Sequence, residues 1–325
     1  MNTTTLDRPQ AFGSATAFVD GLLGAAPVDA PEASVSLPAP AHVARPNLLD
    51  NRFVFDDPRY ETLAAENAKR YQAGSPFPHI YLDNFLPPDV AEAVLAEFPQ
   101  PGAIDWHNYN RQTEIKLVCA NEKQFGPVTR NMFYQFHSLP FLRFLEKITG
   151  IPDLIPDPLL RGGGLHQIRR GGLLKLHADF NKHDSTFLDR RINILLYLNK
   201  DWKEEYGGQL ELWDKDAKFC GDKILPIFNR LAIFSTTSES FHGHPDALNC
   251  PEDMTRKSLA LYYYTNGRPK SEDGGTHTTI FKERPEEQFR GFLWRVSQDV
   301  LPPMMFRSLR RLRERYFSKT IQKRG

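Results

Sequence analysis

After Gly162 the chain becomes a succession of short β-prone runs divided by turn residues, and no other feature restricts its possible folds as much. The runs are Leu165–Arg169, Leu173–His177, Ile192–Asn199, Gln209–Trp213, Lys223–Pro226, Leu231–Ser235, a short piece around Phe241, and Ser258–Thr265. Gly171-Gly172, Gly207-Gly208 and Asn229-Arg230 mark tight connections between them. About eight short strands with few helices between them predict a sandwich or barrel, not a parallel α/β sheet, in which each crossover needs a helix.

The preceding part has a different texture. Pro58–Ala73 reads as a helix ended by Gly74, Pro78–Phe85 as a strand, and Pro87-Pro88 as the start of a helix that Pro99 closes. A further helical region spans Thr129–Ile148 and stops at Gly150. The fold class expected is therefore mainly β with flanking helices. Residues 1–48, rich in Ala, Pro, Ser and Thr without periodicity, read as a disordered leader. Residues 49–285 read as one domain with its barrel over about 160–267, and 286–325 as a basic helical extension. In that extension Arg307, Arg310, Arg311, Arg313, Arg315, Lys319, Lys323 and Arg324 face a single acid, Glu314. We read it as a solvated helix face with Leu309, Leu312 and Phe317 packed inward, in preference to peripheral contact with anionic lipid.

Composition excludes several classes. With 325 residues and 40% hydrophobic content, a core able to shelter chemistry is available. A net charge of +1 gives no electrostatic footprint for nucleic acid, so none is expected as a partner. The three cysteines, Cys119, Cys220 and Cys250, form no CxxC pair and suit a reducing cytoplasm. No apolar run approaches the ~20 residues of a spanning helix, and Asp20 interrupts the best candidate for a signal segment, Ala15–Ala26. No pattern in the sequence fixes an oligomeric state.

The chemistry-bearing residues lie among the strands. Of ten histidines, two open an H-x-D tripeptide: His177-Ala178-Asp179 and His244-Pro245-Asp246. His177 ends an apolar run, so His177 and Asp179 are expected on one side of a strand, where an imidazole and a carboxylate can share a metal. Pro245 disfavours a regular strand in the second tripeptide, so the first is preferred. Two His and one carboxylate on one face of an octahedron leave the opposite positions open, which suits non-haem Fe(II). For the third ligand the candidates are His242 and His244, with His242 preferred between Phe241 and Gly243. His183 reads as a loop residue or a substrate contact. Arg256-x-Ser258 places a guanidinium and a hydroxyl on one strand face, a pair suited to a carboxylate. In the run from Ile192, one face is apolar (Ile192, Ile194, Leu196, Leu198). The other (Asn193, Leu195, Tyr197, Asn199) suits a ligand cavity, with Tyr197 as its donor.

The segments HAD (177–179), RINILLYLNKDW (191–202), GGQL (207–210), FHGHP (241–245) and RKSLALYYYT (256–265) together resemble the prolyl-4-hydroxylase-like branch of the 2-oxoglutarate/Fe(II)-dependent oxygenase superfamily. The resemblance covers about residues 160–267, more weakly Pro76–Pro99, and implies a double-stranded β-helix, the jelly roll of cupin-like proteins. It implies His177, Asp179 and His242 as iron ligands, and Arg256 as the group that binds the distal carboxylate of 2-oxoglutarate, with Ser258 and Tyr197 in support. The cofactors implied are Fe(II), 2-oxoglutarate as cosubstrate and O2, with ascorbate as reductant. The activity implied is hydroxylation of an unactivated C–H bond with conversion of 2-oxoglutarate to succinate and CO2. Asp179 favours hydroxylation over halogenation, since related halogenases lack that carboxylate. Two positions depart from the pattern: Leu174 stands where many prolyl hydroxylases carry Tyr, and Arg256 where collagen-type members use Lys.

Substrate identity is the open end: a prolyl or other peptidyl residue, a free amino acid, or a sugar or lipid building block. Trp202, Trp213, Phe180 and Phe187 fall near the expected mouth, and Asn181–Arg190 is the candidate lid. The competing readings are a non-catalytic cupin-like protein that binds a metal or ligand, and, last, a zinc hydrolase, in which Arg256-x-Ser258 has no evident role.

Overall fold

The computed structural model describes residues 53–272 and 274–289, with three isolated positions, 305, 308 and 311, beyond them. The expected leader and nearly all of the basic extension lie outside the described residues.

Among the described residues the elements run in the order α1 (Arg59–Gln72), β1 (His79–Leu82), α2 (Pro88–Ala96), β2 (His107–Asn110), β3 (Glu114–Cys119), α3 (Pro127–Phe136), α4 (Leu139–Thr149), β4 (Ile155–Pro156), β5 (Gly164–Arg169), β6 (Leu173–Ala178), β7 (Asp189–Tyr197), β8 (Leu210–Trp213), β9 (Cys220–Ile224), β10 (Arg230–Ser235), β11 (Phe241–His244), β12 (Thr255–Thr265) and β13 (Ile280–Phe281), with residues 285–289 helical beyond them. Every strand run anticipated after Gly162 is present. The single helical region expected over Thr129–Ile148 is in fact two helices. Pro140 lies in the first turn of α4, and Ser138 ahead of it is extended (φ −73°, ψ 152°), so the chain breaks and restarts. Gly150 closes α4 in the left-handed region (φ 71°), its N–H donating to the Glu146 carbonyl.

The strands form one antiparallel sheet in the order β1-β10-β7-β12-β5-β3-β6-β11-β8-β9. The sheet curls until its two ends meet: His79 Nε2 of β1 lies 2.9 Å from the Asp222 carboxylate of β9. This is a jelly roll, the fold class expected. Two faces of β7 show why the sequence dictates it. Ile192, Ile194 and Leu196 share an apolar cluster with Tyr60 and Tyr71 of α1, Phe136 of α3, and Phe141 and Phe144 of α4, so the helices cover the outside of that sheet. Each such fully buried side chain contributes roughly 1.5–3 kcal/mol. The alternate residue Tyr197 points inward and packs with Ala232 and Phe234 of the neighbouring β10 and with Leu210, Leu212 and Ile224 of β8 and β9 across the barrel. The barrel interior is thus filled at one end by these apolar side chains and lined elsewhere by the polar residues of the same inward faces.

Two features were not anticipated. The hairpin of β2 and β3 inserts β3 between β5 and β6, and β13 adds to β6 at the other end, pairing Phe281 with His177. Among the described residues no helix is long and apolar enough to cross a membrane.

Candidate metal centre and anion pocket

β6 and β11 are neighbours, and their register pairs His177 directly with His242. The two rings stand 4.5 Å apart between centroids. Each ring is oriented in the same way: His177 Nδ1 bonds the Lys175 carbonyl (2.8 Å) and His242 Nδ1 bonds the Ser240 carbonyl (3.0 Å). A carbonyl only accepts, so each Nδ1 carries the proton and each Nε2 presents a lone pair. Both lone pairs aim at Asp179, with His177 Nε2 3.5 Å from one carboxylate oxygen and His242 Nε2 3.3 Å from the other. The ligand atoms of the three residues lie within 4.8 Å of one another, the one such group found among the described residues.

This arrangement fits a metal. Two imidazole lone pairs and an anionic carboxylate repel one another unless a cation sits between them, and the backbone carbonyls supply the outer contacts that fix such ligands. Burial, the neighbouring His242 ring and, in opposition, Asp179 act on His177, and its proton affinity is lowered on balance. Burial works to raise the Asp179 carboxyl, but Arg190 and the two histidines outweigh it and hold it well below the usual carboxylate range. His177 and Asp179 are therefore poised as ligands and not as acids. His177 and His242 are buried, whereas the Asp179 side chain stays 14% exposed, which marks the open side of the centre.

Arg190 is the residue that sequence reasoning missed. It is 1% exposed, bonds Asp179 Oδ2 through Nη2 (2.9 Å) and donates from Nε to Asn193 Oδ1 (2.9 Å). Asn193 in turn donates to the same Asp179 oxygen (2.8 Å). Tyr262 lies beneath the guanidinium, 3.5 Å from ring centroid to carbon, and Phe180 flanks it at 4.5 Å. The available signal was the charged run Asp189-Arg190-Arg191 at the start of a strand that is apolar further on, since a charge buried there is tolerated only when paired.

Arg256 lies at the second pole. It is buried, and its Nε donates to the Gly208 carbonyl (2.8 Å) while Nη2 lies 3.2 Å from Tyr197 Oη. Gly208 permits this closeness: a Cβ there would meet Leu248 at 2.6 Å and Arg256 itself at 3.0 Å. Ser258, buried two residues further along β12, is paired across the ladder with Tyr197. Among the described residues Arg256 has no carboxylate partner within ion-pairing distance. Burial lowers its proton affinity and Tyr197 opposes the shift, without an acid to restore it. A buried guanidinium of this kind calls for an anionic ligand.

The remaining candidates separate clearly. Asp246 of the second H-x-D is on the surface, gripped at both oxygens by Arg284 (2.7 and 3.0 Å). His244 is buried but is not among the three converging ligands. His183 turns away from the centre: its Nδ1 accepts from the backbone of Ser185 and Thr186, and its ring faces Tyr264. Asn181–Arg190, the candidate lid, is a turn tied down at its start. Its start is tied to the Gly275 carbonyl and the His277 N–H, and its end is the first part of β7, with Phe187 exposed at the tip. Trp202 and Trp213 pack the fold. At the mouth the covering aromatic is Phe281 of β13, 5.6 Å from the His177 ring.

Comparison with known proteins finds relatives of the barrel. The profile of the 2OG-Fe(II) oxygenase superfamily matches residues 163–264, most of the barrel. The mouse (Mus musculus) prolyl 3-hydroxylase OGFOD1 is 27% identical over 199 residues, 58% of this chain and 33% of that protein. The chain thus spans about a third of the length of that curated relative. Among solved structures, a Pseudomonas putida prolyl-4-hydroxylase aligns at 17% identity and a TM-score of 0.44, over 62% of this chain and 99% of its own. A Trichoplax adhaerens prolyl hydroxylase, solved with a peptide of the hypoxia inducible factor oxygen degradation domain, aligns at 19% identity and 0.46, over 63% and 90%.

Proposed function

We propose that this chain is an Fe(II)- and 2-oxoglutarate-dependent dioxygenase that hydroxylates an unactivated C–H bond. The observation that carries the reading is the pairing of two poles in one barrel: three candidate ligands that converge, and a buried guanidinium with no carboxylate partner among the described residues. His177, Asp179 and His242 would hold the iron, and Arg256, with Tyr197 and Ser258, would hold the far carboxylate of the cosubstrate. When bound, iron with 2-oxoglutarate and dioxygen supplies the oxidising chemistry, forming succinate and CO2 and placing one oxygen atom in the substrate. The protein's own part is positional. Arg190 and Asn193 orient Asp179, the Lys175 and Ser240 carbonyls orient the histidines, and the rigid guanidinium fork fixes one end of a dicarboxylate so that its other end faces the metal. The apolar residues below Tyr197 and the arm of β13 above His177 restrict water.

For the substrate, a peptidyl residue, proline foremost, is favoured over a free metabolite by the likeness to prolyl hydroxylases, with a small amino-acid- or sugar-type metabolite as the second choice. The test is oxygen-dependent formation of succinate from 2-oxoglutarate in the presence of proline-containing peptides, followed by mass spectrometry of the peptide for a 16-dalton gain. Turnover that Asp179→Ala abolishes is the expected result. Metal uptake without any decarboxylation, for every peptide and metabolite tried, would favour a binding protein that only retains the barrel. A cytoplasmic setting completes the reading, in keeping with the free thiols of Cys119, Cys220 and Cys250; recovery of the protein from a secreted or membrane fraction would count against it.

A further inference from the structure

His244 has no part in the ligand set, yet it is the polar side chain in the barrel with the least to satisfy it. It is 3% exposed, and neither ring nitrogen has a hydrogen-bond partner among the described residues. In every protonation state an imidazole carries at least one N–H, and a buried donor left unmet costs about 1–3 kcal/mol. Its place in the sheet explains why the fold cannot answer it. His244 follows His242 by two residues on β11, and across the ladder it faces Leu174, which offers no side-chain acceptor. Gly243 between them lets β11 approach β6 so closely that a Cβ would meet the Leu174 and Lys175 carbonyls at 2.8 and 2.9 Å. The ring's surroundings are cationic: after burial, the charges of Arg256 and Lys116 and the His177 ring are what act on it most. The ladder places His244 two residues from His242, which pairs with His177, and on the strand that pairs with β8, which begins two residues after the Gly208 whose carbonyl holds Arg256. Lys116 already has Glu114 at 3.3 Å, whereas Arg256 and His244 have no acidic partner among the described residues.

We propose that His244 is a cosubstrate-binding residue, whose ring N–H donates to a carboxylate oxygen of the dicarboxylic 2-oxo acid that Arg256 anchors. The inference rests on the oxygenase reading and adds to it a contact on β11. Two donors from different strands, one charged and one with a single directed N–H, define the length and the tilt of the acid between them.

The test is anaerobic titration of the Fe(II)-loaded full-length protein with 2-oxoglutarate, followed through the visible charge-transfer band, for wild type, His244→Leu and His244→Gln. Fe(II) affinity is measured separately by chelator competition. We expect His244→Leu to bind 2-oxoglutarate about ten- to a hundred-fold more weakly, in line with loss of a hydrogen bond to a charged group. His244→Gln, which keeps an N–H, is expected to recover to within about three-fold of wild type by the same rule. Fe(II) affinity should be unchanged in both, and the melting temperature of metal-free His244→Leu equal to or above that of wild type, because an unmet donor has been removed. His244→Met replaces the leucine variant if that one does not fold. Unchanged 2-oxoglutarate affinity in the leucine variant overturns the inference, as does lost Fe(II) binding, which would make His244 a ligand, or a glutamine variant as weak as leucine. If wild type loads Fe(II) but binds no 2-oxoglutarate, the oxygenase reading fails and this inference with it; normal wild-type binding beside an indifferent leucine variant overturns this inference alone.

Discussion

At the scale of single residues, Asp179 depends on Arg190 more than on either histidine. The carboxylate is surrounded by protein on most sides, and the guanidinium at 2.9 Å is what keeps it ionised against the pull of burial. Arg190→Met removes that charge while keeping an apolar body against Tyr262. We expect Fe(II) affinity to fall about ten- to a hundred-fold, the usual penalty for losing a partner of a metal ligand, as read by chelator competition. An Fe(II) affinity equal to wild type would mean that Asn193 alone positions the carboxylate. The candidate ligands were legible in the sequence because H-x-D and R-x-S are local: strand alternation places i and i+2 on one side without knowledge of the rest. The preference for His242 over His244 rested on flanking residues; it is His242 whose ligand atom lies within 4.8 Å of those of His177 and Asp179. Arg190 and the unmet state of His244 were not legible, because what defines them is a partner, or the lack of one, contributed by other strands.

At the scale of elements, the site is a product of how closely β6 and β11 run. Gly243 is the residue that allows it, since the atoms a side chain would strike belong to the backbone of β6 and cannot swing aside. Gly243→Ala should push the strands apart, lower stability by about 1–3 kcal/mol as overpacking does, and weaken Fe(II) binding by displacing His242 from His177. Gly102→Ala, with nothing within 4 Å of the added carbon, is the control and should be near neutral. Equal melting temperatures for the two variants would contradict this account of the strand spacing. The strands after Gly162 were readable because turn glycines and alternation punctuate them. The helices were readable except where Pro140 divides one region into two. The hairpin of β2 and β3 was missed because its first strand, His107–Asn110, is polar and carries no alternation, and its pairing with β5 and β6 is set by the sheet.

At the scale of the whole molecule, the helical layer holds a group that should govern acid stability independently of the metal. His137 at the end of α3 is pushed down to about 4 by burial, slightly opposed by Asp157. Its ordinary value is near 6.5, so between those two limits the unfolded chain binds a proton that the fold refuses. Stability from this residue is complete above about pH 6.5 and is lost as the pH falls towards 4, by up to roughly 1.4 kcal/mol per pH unit. Urea unfolding of wild type and His137→Leu across that range checks it: the variant's curve should be flatter, and parallel curves would rule the histidine out.

The central claim concerns one cavity with two poles, and one measurement addresses both together. Fe(II) followed by 2-oxoglutarate is added anaerobically to wild type and to the His177→Ala, Asp179→Ala, His242→Ala and Arg256→Ala variants, and the visible absorbance is recorded. The account predicts one iron per chain and a charge-transfer band in wild type, loss of iron binding in the first three variants, and in Arg256→Ala retained iron with weakened 2-oxoglutarate binding. A wild-type protein that gives no band, or an iron site indifferent to those three side chains, would contradict it.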